Sequence, residues 1–233
     1  MHHVVVERWS RGNSWLHSRD ARAKLVAALA FIVCVATTPA TRYNAALSYV
    51  AVLIVLTVAG RLPLQSVAFR AAFVLPFSAG FAIASWLAND TARATGMLWK
   101  SYLSAFAVLL LVASTPLVEL LRALEWFRAP QLVILIAQFL YRYLFVISEQ
   151  AQHMRLAAQC RGGGRRATVA GAAGALSVLF ARSYAHADGI QRAMLARGFS
   201  GRFPSLTAWR FNSTDAMFTT AVAGICAAIR WAG

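Results

Sequence analysis

Arg161 and Arg197 stand in near-repeated settings, Gln159-Cys160-Arg161-Gly162 and Leu195-Ala196-Arg197-Gly198. In each, the arginine falls where the last turn of a long helix is expected. A glycine follows at once, supplying the left-handed residue that closes a helix bluntly. The chemistry such residues offer is recognition, because a planar guanidinium held at the carbonyl end of a helix pairs bidentately with a carboxylate. Two cationic helix tips on one chain suit docking to something acidic.

Other candidate chemistry is sparse. Cys34, Cys160 and Cys226 are odd in number and widely spaced, and two fall inside apolar runs, so they read as packing residues and not as a disulfide or metal framework. His17, His153 and His186 are isolated and form no helical zinc motif. Met1-His2-His3 carries the donors of a square-planar copper or nickel site, although a flexible tail is the preferred reading. The stretch Arg161-Gly162-Gly163-Gly164-Arg165-Arg166 is glycine-rich but lacks the Gly-Lys-Ser/Thr ending with which a phosphate loop reaches phosphate and magnesium. With no Ser/His/Asp grouping and no carboxylate pair within a span, no catalytic residue, metal ligand or cofactor is expected.

The elements that must position the two tips are membrane helices. Of the 233 residues 59% are hydrophobic and only 13% charged, with a mean hydropathy of +0.58, too apolar for an ordinary soluble domain. Spans are expected at 23–39, 45–59, 66–88, 97–114 and 214–231, each near the length needed to cross the hydrocarbon core, with 45–59 short. The apolar runs are continuous and not alternating, which excludes strands. Residues 1–8 have no long apolar run, so Lys24 to Ala40 is expected to be a first span that stays.

The formal net charge of +15 is decided by its location. Five Lys/Arg lie before or at the start of the first span (Arg8, Arg11, Arg19, Arg22, Lys24) and nine lie between Ser148 and Asn212, so the positive-inside bias places both segments in the cytoplasm. Nucleic acid is not an expected partner, since no aromatic stacking platform accompanies the basic residues. Arg70 and Lys100 sit near span ends where they can snorkel, and Trp86, Trp99 and Trp126 suit the headgroup level.

Parity then requires that one apolar run does not cross. Gln131 to Ile147 continues without a breaker to Arg161, giving one helix of about 30 residues, whose apolar half is expected to be buried against the other helices while its polar half emerges into water. A second long helix fits Gly174 to Arg197, with Leu176, Leu179, Phe180, Ser183, Ala187, Ile190 and Met194 on one face. Ala157 and Ala158 on the first, with Ala193 and Ala196 on the second, are small enough for the two backbones to cross closely. A shorter amphipathic segment, Pro116 to Arg128, precedes them, with Thr115-Pro116 as its expected N-cap and first-turn pair.

These residues resemble the transmembrane T component of an energy-coupling factor transporter, of the cobalt/nickel type. The likeness runs through His17-Ser18-Arg19-Asp20-Ala21-Arg22-Ala23-Lys24-Leu25, Thr115-Pro116, Ala129-Pro130, Tyr141-Arg142-Tyr143 and Phe180-Ala181-Arg182-Ser183-Tyr184. It is most specific in Ala193-Met194-Leu195-Ala196-Arg197-Gly198-Phe199-Ser200-Gly201. Cys160 stands where the family's first motif has alanine, a small and apolar exchange, and Ala21 stands where the leading motif often has proline.

The resemblance implies an all-α membrane protein with about five spans and a cytoplasmic coupling module of two long crossing helices and one short amphipathic helix. It divides the chain into a membrane domain over 1–114, a coupling module over 115–212 and a last transmembrane helix over 213–233. It implies that Cys160, Arg161, Gly162, Ala196, Arg197 and Gly198 dock on two ATP-binding cassette ATPase subunits. A separate substrate-binding membrane subunit, the S component, would capture cobalt, nickel or a vitamin. The chain would then be a non-catalytic permease subunit of the inner (plasma) membrane with a cytoplasmic amino terminus. A self-contained channel or secondary transporter is the alternative, disfavoured by the lack of inverted repeats and buried acidic residues. An intramembrane enzyme would lack its catalytic set.

Overall fold

The structure is a computed structural model that describes residues 9–10, 12, 14–161, 171–199, 201 and 212–232. Met1-His2-His3, Gly162 and the arginines at 165, 166, 202 and 210 lie outside the described residues. The chain is an all-α membrane protein. Its helices are α1 (Ala21–Thr37), α2 (Tyr43–Ala59), α3 (Leu64–Ala71), α4 (Leu75–Leu87), α5 (Thr91–Ser114), α6 (Leu117–Trp126), α7 (Gln131–Cys160), α8 (Ala172–Ala196) and α9 (Ser213–Ala232).

Local chemistry sets the breaks. Asp20 caps α1 by accepting the Arg22 N–H at 2.9 Å, and Asp90 caps α5 by accepting that of Arg93 at 2.9 Å. At the far end of α1, Thr38 turns extended before Pro39 while its hydroxyl donates to the Cys34 carbonyl at 2.7 Å. Between α3 and α4 a 3₁₀ turn, Ala72–Val74, precedes Pro76, whose missing N–H cannot continue the i→i−4 ladder. Proline also starts α6 and α7, through Pro116 and Pro130 at their N-caps. The expected cap at Thr115 is not found: its Oγ1 is buried without a hydrogen bond, and it is the Pro116 carbonyl that accepts the first N–H groups of α6.

Among the described residues three helical stretches are long and apolar enough to cross a membrane: Leu64–Leu87, Thr91–Ser114 and Gln131–Cys160. The helices of α1 and α2 have 17 residues each, about 25 Å of rise, at the short end of what a bilayer needs. Large apolar side chains face outward along them and beyond, including Leu47, Val55, Phe69, Phe73, Phe77 and Phe81. Such a surface belongs against lipid or another membrane helix and not against water.

The chain divides into two compact units, residues 1–127 with 209–233, and residues 128–208. In the first, α1 packs on α5, α6 and α9, and the core gathers Leu16, Phe31, Tyr49, Leu103, Phe106, Phe218 and Val222. Phe31 meets Tyr49 edge to face at 5.5 Å, and the Tyr49 hydroxyl lies 3.1 Å from that of Thr38, so a polar tip inside the core is satisfied. Gly96 permits the close pass of α5 beside the turn at Ala40, where an added Cβ would lie 2.4 Å from the Ala40 Cβ.

The second unit contains α7 and α8. On α7 Ile134 is buried, while Leu132, Val133, Ile136, Leu140 and Leu144 are exposed. On α8 the expected stripe is split, with Leu176 and Phe180 exposed and Ser183, Ala187, Ile190 and Met194 lining a groove shared with α7.

Candidate functional site

Each tip is built from the way its helix ends. α8 closes with two paired bonds: the Gly198 N–H donates to the Leu195 carbonyl at 3.0 Å and the Phe199 N–H to the Met194 carbonyl at 3.0 Å. That closure requires a left-handed residue at the turn, and Gly198 supplies it with φ of +76°. Arg197 is therefore the last residue before a sharp change of direction, and Ala196, Arg197 and Gly198 are all exposed. Its guanidinium makes no ion pair with any described residue.

The α7 tip is similar as far as it is described. Helix α7 runs unbroken to Cys160, the Arg161 N–H donates to the Ala157 carbonyl at 3.3 Å, and both Cys160 and Arg161 are exposed. The following Gly162 lies outside the described residues.

Rings mark one place where the two helices meet. Tyr143 and His186 pack edge to face at 5.7 Å, with Phe139 stacked on Tyr143 at 6.0 Å. Ala157, Ala193 and Ala196 are exposed and Ala158 is half-buried. Beside this contact lies an apolar groove of about 810 Å³, lined by Leu135, Phe139, Tyr143, Ile190 and Met194 among others. Arg161 lies 18 residues beyond Tyr143 and Arg197 lies 11 beyond His186. At the helical rise these spans are about 27 and 17 Å, so both tips stand well clear of the contact.

Several charges that the sequence presents as solvated are structural. Lys24 is 4% exposed, and its ammonium donates to the carbonyls of Ser114 at 3.0 Å and His17 at 3.2 Å. Arg19 pairs with the buried Asp215 at 3.6 Å and lies over the Trp15 ring at 4.4 Å. Arg22 lies over Trp126 at 5.5 Å. The available signal was the acidic residue inside the last apolar run, since a carboxylate there calls for a cation. His17 accepts the structural reading too: its ring nitrogens engage the Ser14 hydroxyl at 2.7 Å and the Trp9 carbonyl at 2.9 Å.

The model of the cobalt transport protein family CbiQ matches residues 12–209, which takes in both arginine tips and ends before α9. The chain belongs to this CbiQ family. A search of curated protein sequences finds no significant match to it. A chain of a cobalt transport protein family with apolar helices belongs in a membrane, which agrees with the outward apolar surface.

Proposed function

We propose that this CbiQ chain is the T component of an ATP-driven importer of the energy-coupling factor type, and that it carries motion and not substrate chemistry. In this reading two ATP-binding cassette ATPase subunits each receive one arginine tip, Cys160-Arg161-Gly162 or Ala196-Arg197-Gly198. ATP binding and hydrolysis change the spacing of the receiving grooves. The coupling module, residues 115–212, passes that change through α7 and α8 to the membrane helices of 1–114 and 213–233. There a separate S component tilts or releases its cargo, cobalt(II) or nickel(II). The chain itself is non-catalytic and sits in the inner (plasma) membrane with its amino terminus cytoplasmic.

The observation that carries the reading is the glycine-closed end of α8, which leaves Arg197 exposed and without an ion-pair partner among the described residues, in a chain of the cobalt transport family. A guanidinium so placed supplies a rigid fork at the negative end of a helix dipole, which suits a carboxylate in a groove. Labelled cobalt(II) uptake by cells carrying Arg197→Glu tests it. Uptake falls to background while the chain remains membrane-inserted; retained uptake contradicts the reading.

A further inference from the structure

Arg70 stands apart from the cations that hold the first unit together. Arg19 and Lys24 have partners there, a buried carboxylate for one and two carbonyls for the other. Arg70 is half-buried and its guanidinium lies over the Trp9 ring at 4.7 Å, yet it makes no ion pair or hydrogen bond with a described residue. Trp9 is pinned in turn, because its carbonyl accepts the Gly12 N–H at 3.1 Å and a His17 ring nitrogen at 2.9 Å. The guanidinium is thus set on a fixed ring with its donors directed elsewhere.

Arg70 also ends a groove. An apolar groove of about 800 Å³ runs between α5 and the stretch formed by α3 and α4, with Ile32 of α1 behind it. Small side chains open it, Ser78 on α4 with Ser101, Ser104 and Ala105 on α5. α4 and α5 are antiparallel neighbours, and the Ser85 hydroxyl donates to the Met97 sulfur at 3.7 Å, so Phe81 and Met97 mark one end and Arg70 the other. Arg70 and Phe81 are 11 residues apart, about 17 Å at the helical rise and near the roughly 15 Å that one leaflet contributes to the hydrocarbon core. Both walls belong to stretches long enough to cross a membrane, so the groove opens toward acyl chains and not toward water.

Its occupant must be apolar over most of its length and anionic at the Arg70 end. A phospholipid has that form, since its phosphate sits where its chains begin. A partner helix would need a carboxylate set into an apolar face, which is costly in a bilayer. The headgroup is constrained as well. Residues 60–80 and 101–118, which flank that end, contain Arg61 and Arg70 and no carboxylate, so an ammonium headgroup finds no counter-charge in them. We propose that this groove holds one anionic phospholipid, with its phosphate on Arg70 and one acyl chain running past Ser78 and Ser104 to Phe81. Because Trp9 of the leading segment touches Arg70, the lipid belongs to the leaflet on the amino-terminal side. The site rests on the membrane placement of the chain and not on the coupling reading.

The test is native mass spectrometry of the full chain, stripped of lipid in detergent and titrated with dioleoyl phosphatidylglycerol or dioleoyl phosphatidylcholine. The expected result is one saturable phosphatidylglycerol per chain, bound about fivefold more tightly than phosphatidylcholine. Arg70→Gln weakens phosphatidylglycerol about tenfold and removes the preference. Ser104→Phe fills the groove and weakens both lipids. Arg93→Gln, which removes an exposed cation at the far end of α5, changes neither. Equal affinity for the two lipids in the unsubstituted chain, or phosphatidylglycerol binding unchanged by Arg70→Gln, overturns the proposal. If Arg70→Gln is not recovered, Ser104→Phe decides, and undiminished phosphatidylglycerol binding by that variant overturns the site. A paired chain that excludes phosphatidylglycerol assigns the groove to a second copy and overturns it as well.

Discussion

At the scale of the residue, two pairs of arginines have opposite surroundings. Arg19 and Arg22 sit over rings, with Arg19 also paired with Asp215, whereas Arg161 and Arg197 end their helices exposed. Loss of one partner from a desolvated interfacial charge pair costs about 2–5 kcal/mol, against far less for a charge at a rim. Arg161→Glu and Arg197→Glu should therefore each weaken ATPase co-purification by at least about thirtyfold. Substitution of Arg202 or Arg210 should leave uptake within about twofold, since those are read as lipid-facing or solvated charges. Uptake assays across the four variants check the contrast. Gly198 gives a second prediction. No heavy atom lies within 4 Å of a Cβ added there, so Gly198→Ala meets no clash and pays only for its φ of +76°. That is about 1 kcal/mol, visible as a lowered unfolding temperature in detergent, whereas Gly198→Asn should lose less because asparagine tolerates the left-handed region.

At the scale of the element, the long helices were legible and their contact was not. The unbroken run from Gln131 to Cys160 and the glycine after Arg197 fix α7 and α8 to within a residue or two, because breakers and caps are local chemistry. The meeting of Tyr143 with His186 is tertiary, and alanines at helical spacing look equally suited to it in a sequence. Thr115 failed as a cap for a similar reason: Pro116 imposes the backbone that starts α6, and the hydroxyl beside it is left buried. Lys24 was legible as a cation and illegible as a buried one, since its partner carbonyl at Ser114 is 90 residues away. An edge-to-face ring pair contributes about 0.5–1.5 kcal/mol beyond the area it buries. A double-mutant cycle on Tyr143→Leu and His186→Leu, read by thermal unfolding in detergent, should return a coupling energy in that range. A value near zero would mean that the groove, and not the ring pair, holds α7 to α8.

At the scale of the whole molecule, composition and continuous apolar runs were enough to identify an all-α membrane protein, and the CbiQ match adds the cobalt transport protein family. The proposed side and partner rest on charge. With the leading basic residues and the 148–212 segment both cytoplasmic by the positive-inside bias, five crossings and an external carboxyl terminus are expected, with α7 not crossing although it is long and apolar enough to do so. A single cysteine at Gly163, in a background lacking Cys34, Cys160 and Cys226, should resist an impermeant reagent in intact cells and react after permeabilisation. Labelling in intact cells would contradict that topology. The central claim, that two arginine tips hold two ATPases, is tested most directly by purifying the tagged chain from its own membranes in mild detergent and measuring the ATP-binding subunits bound per chain. The account predicts two with the unsubstituted chain, and none with Arg161→Glu and Arg197→Glu combined at equal membrane insertion. Two ATPases retained by the combined variant, or none bound by the unsubstituted chain, would contradict it.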